Sequence, residues 1–196
     1  MELQAFTLSG VIRTDKKTHP ITMKTLGREI VYEALETPLQ IRVQFTMERS
    51  ILSTRRSSQD AWKDLPASKG GEAVLGSDIT YEELGLDFLN WPLTQEAGAD
   101  SIKTLRAYAL DAYPEGRPSR YKKIRYWVSA DHFLLIRADA YNDKDEVVKR
   151  VEVNGVQKIG NAWAIKEMQI ASMIPGRELS RSRTYLEIRS GQAGVK

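Results

Sequence analysis

The run Leu39-Gln40-Ile41-Arg42-Val43-Gln44-Phe45-Thr46-Met47-Glu48 alternates apolar and polar side chains without a break. Successive residues of a strand point to opposite faces, so Leu39, Ile41, Val43, Phe45 and Met47 share one face and the polar residues take the other. One face must be buried and the other wet. The same rhythm recurs at Phe6, Leu8, Gly10 and Ile12, at Ile30, Tyr32 and Ala34, at Leu105, Ala107 and Ala109, and at Ile124, Tyr126 and Val128. Leu134, Ile136, Ala138 and Ala140 lead into the polar tetrapeptide Asn142-Asp143-Lys144-Asp145, beyond which Val147, Val151 and Val153 share a face. Residues 133–153 therefore read as a hairpin. Asn154-Gly155, Gly160-Asn161 and Pro175-Gly176 punctuate a path through Trp163, Ile165, Met168 and Ile170 to a last strand holding Thr184, Leu186 and Ile188. The spacing gives about nine to eleven strands and predicts one large, mostly antiparallel, strongly curved sheet or barrel rather than a βαβ architecture.

One segment breaks the rhythm. In Ile79-Thr80-Tyr81-Glu82-Glu83-Leu84, Thr80 is placed to cap a helix, Glu83 completes a capping box three residues on, and Ile79 can staple against Leu84. Leu84, Phe88 and Trp91 then recur at i, i+4 and i+7, an apolar stripe that ends before Pro92. Gly85 weakens so short a helix by about 1 kcal/mol relative to Ala, so the stripe must dock to hold it. Residues 56–76, with Ser57-Ser58, Pro66 and Gly70-Gly71, read as a long surface connection, and residues 92–101 and 114–119 as shorter ones. None separates two domains, so residues 1–196 are expected to form one.

Composition narrows the function. Of 196 residues, 41% are hydrophobic and 28% charged, which suits a folded chain and excludes global disorder. A formal charge of +3 is too small to imply nucleic acid by itself. Without cysteine there is no disulfide, thiolate metal site or cysteine nucleophile. His19 and His132 are the whole imidazole supply and neither sits in a metal-ligand spacing; His132, after Asp131, reads as a turn residue. No G-x-S-x-G elbow, P-loop or G-x-G-x-x-G is present, so no catalytic residue, cofactor or metal is assigned and an enzyme is disfavoured. Asp143, Asp145 and Glu146 lack the glycine and distal glutamate of a calcium loop. Glu82 and Glu83 read as first-turn charges favoured by the helix dipole, and Arg177, Arg181 and Arg183 as a solvated strand face. What remains is apolar. A sheet curving on itself can enclose a greasy cavity, and the candidates for its wall are Val43, Phe45, Leu84, Phe88, Trp91 and Tyr126, although periodicity alone favours ordinary core over ligand wall for such residues.

Several stretches, taken in order, resemble the outer-membrane lipoprotein-sorting (LolA-like) family. They are residues 71–84, Gly71-Glu72-Ala73-Val74-Leu75-Gly76-Ser77-Asp78-Ile79-Thr80-Tyr81-Glu82-Glu83-Leu84, and the set Tyr126-Trp127-Val128, Leu135-Ile136-Arg137, Tyr141-Asn142-Asp143-Lys144-Asp145 and Glu152-Val153. Glu83, Leu134-Leu135 and Asp145 depart from that pattern, where Asp, Leu-Pro and Gly are usual. The resemblance implies a single curved antiparallel sheet forming an incomplete β-barrel, with short helices at the concave side and a hydrophobic cavity for acyl chains. It implies a periplasmic, non-enzymatic carrier of lipid or lipoprotein acyl chains, with envelope transport proteins and peripheral membrane contact as possible partners, and no nucleic acid. It also implies export, with the signal peptide and an N-terminal helix absent from a chain that starts almost directly on Phe6-Thr7-Leu8. The alternative from the same residues is a cell-envelope interaction module whose barrel is filled by its own side chains and docks a protein partner.

Overall fold

In the computed structural model, which describes residues 5–102, 104–131, 134–160 and 162–194, the alternating runs become thirteen strands of a single sheet. These are β1 (Phe6–Thr14), β2 (Thr18–Leu26), β3 (Glu29–Ala34), β4 (Leu39–Phe45), β5 (Ser50–Arg55), β6 (Lys63–Asp64), β7 (Leu93–Ile102), β8 (Leu105–Tyr113), β9 (Lys123–Ser129), β10 (Leu135–Tyr141), β11 (Val147–Ile159), β12 (Ala162–Met173) and β13 (Ser180–Ala193). Their order across the sheet is β6-β5-β4-β3-β2-β1-β13-β12-β11-β10-β9-β8-β7, with every neighbouring pair antiparallel. The chain meanders outward from β1 to one edge at β6, crosses through residues 65–92 to the other edge at β7, and meanders back until β13 pairs with β1. The sheet does not close into a barrel. The single curved sheet read from the sequence is the observed fold, with thirteen strands in place of nine to eleven.

Of the strands the sequence runs do not include, β2, β5, β6 and β7, the last two lie where the sequence shows no alternation. Residues 92–101, expected to be a connection, lie almost wholly in β7, an edge strand with most of its residues exposed, so neither face needed to be apolar. β6 is two exposed residues within the expected connection 56–76. That connection is not entirely a surface one either, because Val74 is fully buried in the core. Of the turn residues read from the sequence, His132 lies outside the described residues.

Helix α1 (Tyr81–Gly85) begins as expected: the Glu83 carboxylate accepts the Thr80 backbone N–H at 2.6 Å, and Ile79 and Leu84 join one core cluster. It does not run to Trp91. Leu86 adopts a left-handed φ of 48° and the chain restarts as a 3₁₀ turn over Asp87–Asn90. The break follows from packing, because one straight helix would aim its stripe at one target and the stripe has two. Leu84 enters the cluster formed by Leu8, Ile12, Ile21 and Ile41, while Phe88 and Trp91 enter another formed by Ala112, Tyr121, Ile124 and Tyr126.

The outer face of β8–β11 carries a cross-strand ladder of alternating charge. Asp111 faces Arg125, Arg125 faces Asp139, and Asp139 faces Arg150. Opposite charges at directly facing positions reinforce strand pairing and fix its register. Arg125 Nε donates to Asp111 Oδ1 at 2.6 Å, and this guanidinium holds the Asp111 carboxyl below the usual carboxylate range. Asp139, only 2% exposed, accepts from Arg137 Nε at 3.0 Å and Arg150 Nε at 2.9 Å. Its charge is thus compensated where solvent cannot reach it.

The two meanders are joined at a β-bulge between Ser9 and Gly10 in the β1–β13 pair. A Cβ at Gly10 would lie 2.1 Å from the Glu187 carbonyl oxygen, an approach that only glycine permits. Gly10→Ala is expected to destabilise the fold by about 3 kcal/mol through forced separation of the two strands, read as a lowered urea midpoint.

Candidate functional site

The segment joining the sheet edges is a strap across the concave face, and Asp78 fastens it. Its Oδ1 accepts the hydroxyls of Ser172 and Ser182, and its Oδ2 accepts the Thr184 hydroxyl at 3.0 Å. The Asp78 backbone N–H donates to the same Thr184 oxygen at 2.8 Å, and Lys149 Nζ donates to the Asp78 carbonyl. Three strands, β11, β12 and β13, therefore grip one residue. At the far end of the strap, Asp87 Oδ1 accepts the Ser50 backbone N–H of β5 at 2.7 Å.

Between strap and sheet lies a cavity of about 350 Å³. Its sheet walls include Leu8, Met23, Ile124, Ala138, Met168 and Ile188, and the strap contributes Ile79, Leu84, Leu86, Phe88 and Trp91. Strands β3 and β9, both on this wall, stand seven places apart in the sheet and would be about 34 Å apart were it flat. Their sharing one cavity measures the curl. Among the wall residues named for β10, Ala138 and Ala140 are small, and the space they leave is not filled from the strap.

Besides Asp87, the charged lining of the cavity gathers at a corner where Glu82, Glu83, Tyr121 and Lys149 meet. Tyr121 donates its hydroxyl to Glu83 and accepts from Arg120 Nη2 at 2.7 Å; Lys149 Nζ stands 3.6 Å from Glu83. Burial raises the Tyr121 phenol far above its ordinary value, with the Glu83 charge adding to the effect. Burial also lowers the Lys149 ammonium and raises the Glu82 carboxyl, the latter against the opposing pull of its hydrogen bond from Ser119. The corner joins strap to sheet as well as bounding the cavity. Glu82 and Glu83, which the sequence suggests only as dipole-matched first-turn charges, belong to it.

Of the candidates read from the sequence, Leu84, Phe88 and Trp91 line the cavity together. Tyr126 lies one layer away, its ring 5.5 Å from that of Phe88. Val43 and Phe45 lie on β4, away from the wall, and Val43 is completely buried. The sequence candidates omit Met23, Ala138, Lys149 and Trp163, which also line the cavity. Ala138 is visible in the sequence as part of an inward-facing alternation, whereas Lys149 interrupts one. Among the described residues, no three His, Cys, Asp or Glu side chains are grouped to hold a metal ion.

Similar architecture occurs in solved structures. A domain described as an outer membrane lipoprotein-sorting protein, from Vibrio parahaemolyticus, superposes with a TM-score of 0.82 at 12% identity over 98% of this chain and 87% of that one. A DUF1329 family protein from Desulfovibrio piger gives 0.77 at 19% identity, over 100% and 87%. A LolA superfamily protein from Nitrosomonas europaea gives 0.68 at 12%, again over 100% and 87%. No curated protein matches the chain in sequence. The fold is thus LolA-like. Residues 57–194, more than half of the chain, match the model of a DUF1329-like family described as uncharacterized protein, and the chain belongs to that family.

Two substitutions test the strap. Asp78→Ala strands three hydroxyls that now donate to a carboxylate and is expected to cost about 3 kcal/mol in chemical denaturation. Glu82→Gln acts in the opposite sense at neutral pH. A carboxyl raised by burial contributes stability below its unfolded value of about 4.3 and loses it as pH rises through the higher folded value. The Glu82→Gln variant should therefore have the higher urea midpoint at pH 7, and its midpoint and that of the parent should converge on acidification to about pH 4.

Proposed function

We propose that this protein is a non-enzymatic periplasmic carrier that holds an acyl chain of a lipid or lipoprotein between the strap and the concave sheet. The observation that carries the reading is the apolar cavity of about 350 Å³, which the protein's own side chains leave unfilled. That size falls within the ~300–1,000 Å³ usual for small-molecule sites. A chain entering it exchanges water for aliphatic wall at about 0.8 kcal/mol per buried CH₂, so a dozen methylenes outweigh the usual costs of association. The likeness of fold to a domain described as sorting lipoproteins supports the same ligand class. Leu84, Phe88 and Trp91 on the strap are assigned as the inner contact for the chain, with Met23, Ala138 and Met168 opposite.

Native mass spectrometry of the purified protein and displacement of a fluorescent fatty acid after delipidation test the reading. A saturable site of micromolar or tighter affinity is expected. Ala138→Phe, which places a ring into the cavity, should weaken binding about tenfold, or 1.4 kcal/mol, while far-ultraviolet circular dichroism stays unchanged. A protein that binds no acyl ligand, or whose Ala138→Phe variant binds it as well as the parent does, would overturn the proposal.

A further inference from the structure

The longest hairpin outgrows its neighbours. Strand β11 pairs with β10 only as far as Glu152, and β12 pairs with β13 only from Glu167 onward. Residues 154–166 therefore form a flap whose ladder is internal, hinged at register shifts on either side of Gly155. The flap bends over the end of the sheet, where Ile159 packs so closely on Gly191 that a Cβ there would stand 2.5 Å from it. Trp163 on the flap lines the cavity and is nevertheless 52% exposed. Val156, which faces Ile165 on the same flap, and Leu26, at the β2 end next to the cavity-lining Thr25, are also exposed large apolar side chains.

The exposed charges of the flap and of the β2–β3 tip have one sign. Among the described residues of the flap and of the β2–β3 tip, the exposed charged side chains are Lys24, Arg28, Lys158 and Lys166. The two acids there are half-buried and engaged: Glu29 accepts from Gln44 at 3.2 Å and Glu167 from Asn154 at 3.0 Å. Lys158 Nζ lies 6.0 Å from the Trp163 ring centroid, which places ammonium and indole at the same level. Aromatic residues at a membrane boundary and lysines beside it are the side chains that partition into the interface of a negatively charged bilayer.

We propose that this rim docks on a bilayer carrying anionic headgroups, with Trp163, Val156 and Leu26 entering the interface and the four cations meeting the phosphates. Charge complementarity selects this partner, since a second copy of the chain would bring two basic rims face to face. The docking surface goes beyond the carrier reading and does not rest on it, although cavity and rim are continuous at Trp163, so a chain leaving the bilayer there would meet apolar wall before water.

Sedimentation with vesicles of phosphatidylcholine, alone or mixed with phosphatidylglycerol, is the test, paired with fluorescent fatty-acid binding in vesicle-free buffer. Binding to the mixed vesicles and not to pure phosphatidylcholine is expected, with a blue shift of tryptophan emission that Trp163→Phe removes. Each cation removed should weaken partition about fivefold, so Lys158→Gln with Lys166→Gln should lose about 25-fold while fatty-acid affinity and melting temperature hold. If the parent ignores anionic vesicles yet binds fatty acid, the docking surface falls and the carrier stands; with vesicle binding but no fatty-acid binding, the carrier falls and the docking surface stands. Vesicle binding unchanged in the double variant, or a concentration-dependent dimer that Trp163→Ser dissolves in place of vesicle binding, would also overturn the proposal.

Discussion

One carboxylate fastens the middle of the strap that gives this sheet an inside. Asp78 gathers hydroxyls from Ser172, Ser182 and Thr184, which lie on two neighbouring strands. Removing such a shared acceptor leaves several donors without a partner at once, which costs more than the loss of any single bond. Asp87 on Ser50 and Glu83 on Tyr121 hold the strap further along its length. Ile79 and Leu84 are delivered to one core cluster, and the left-handed turn at Leu86 swings Phe88 and Trp91 into the other. Released at Asp78, the strap would expose apolar surface on its own underside and on the concave face opposite it.

The empty space beneath the strap and the charged ladder on the outer face are two sides of the same strands. Along β10, Ala138 and Ala140 face inward while Arg137 and Asp139 face outward. Small side chains inside cannot fix the pairing by interlocking with neighbours. The alternation of Asp111, Arg125, Asp139 and Arg150 supplies that register from outside. A wall can therefore be thin on its inner side without losing its place in the sheet, and a cavity is left where a filled core would otherwise form.

The alternating strands were legible because each has one wet face and one dry face, as in Leu39–Phe45 and in Thr184, Leu186 and Ile188. β7 was not, because an edge strand held by backbone bonds to β8 alone needs no apolar face. The start of α1 could be read from Thr80 and Glu83, whose capping geometry is local. Its end could not, since the turn at Leu86 answers to two clusters that exist only once distant strands have assembled. The same distinction runs through the cavity. The helical stripe announced Leu84, Phe88 and Trp91, but Val43 and Phe45 share the inward pattern of a wall strand and lie beyond the cavity's reach, because periodicity reports burial and not what does the burying.

The first and last strands meet at the middle of the sheet, where β1 pairs with β13 across nearly the whole sequence. Each meander consists of hairpins that can form from near neighbours, and hairpins form on the microsecond scale. The seam between them cannot form until the last strand is available, and closing so long a loop is entropically slow. Two half-sheets with unpaired inner edges must therefore coexist during synthesis, each offering open backbone groups to other chains. For this architecture the hazardous interval comes before completion: the finished sheet hides at its centre the two edges most prone to aggregate.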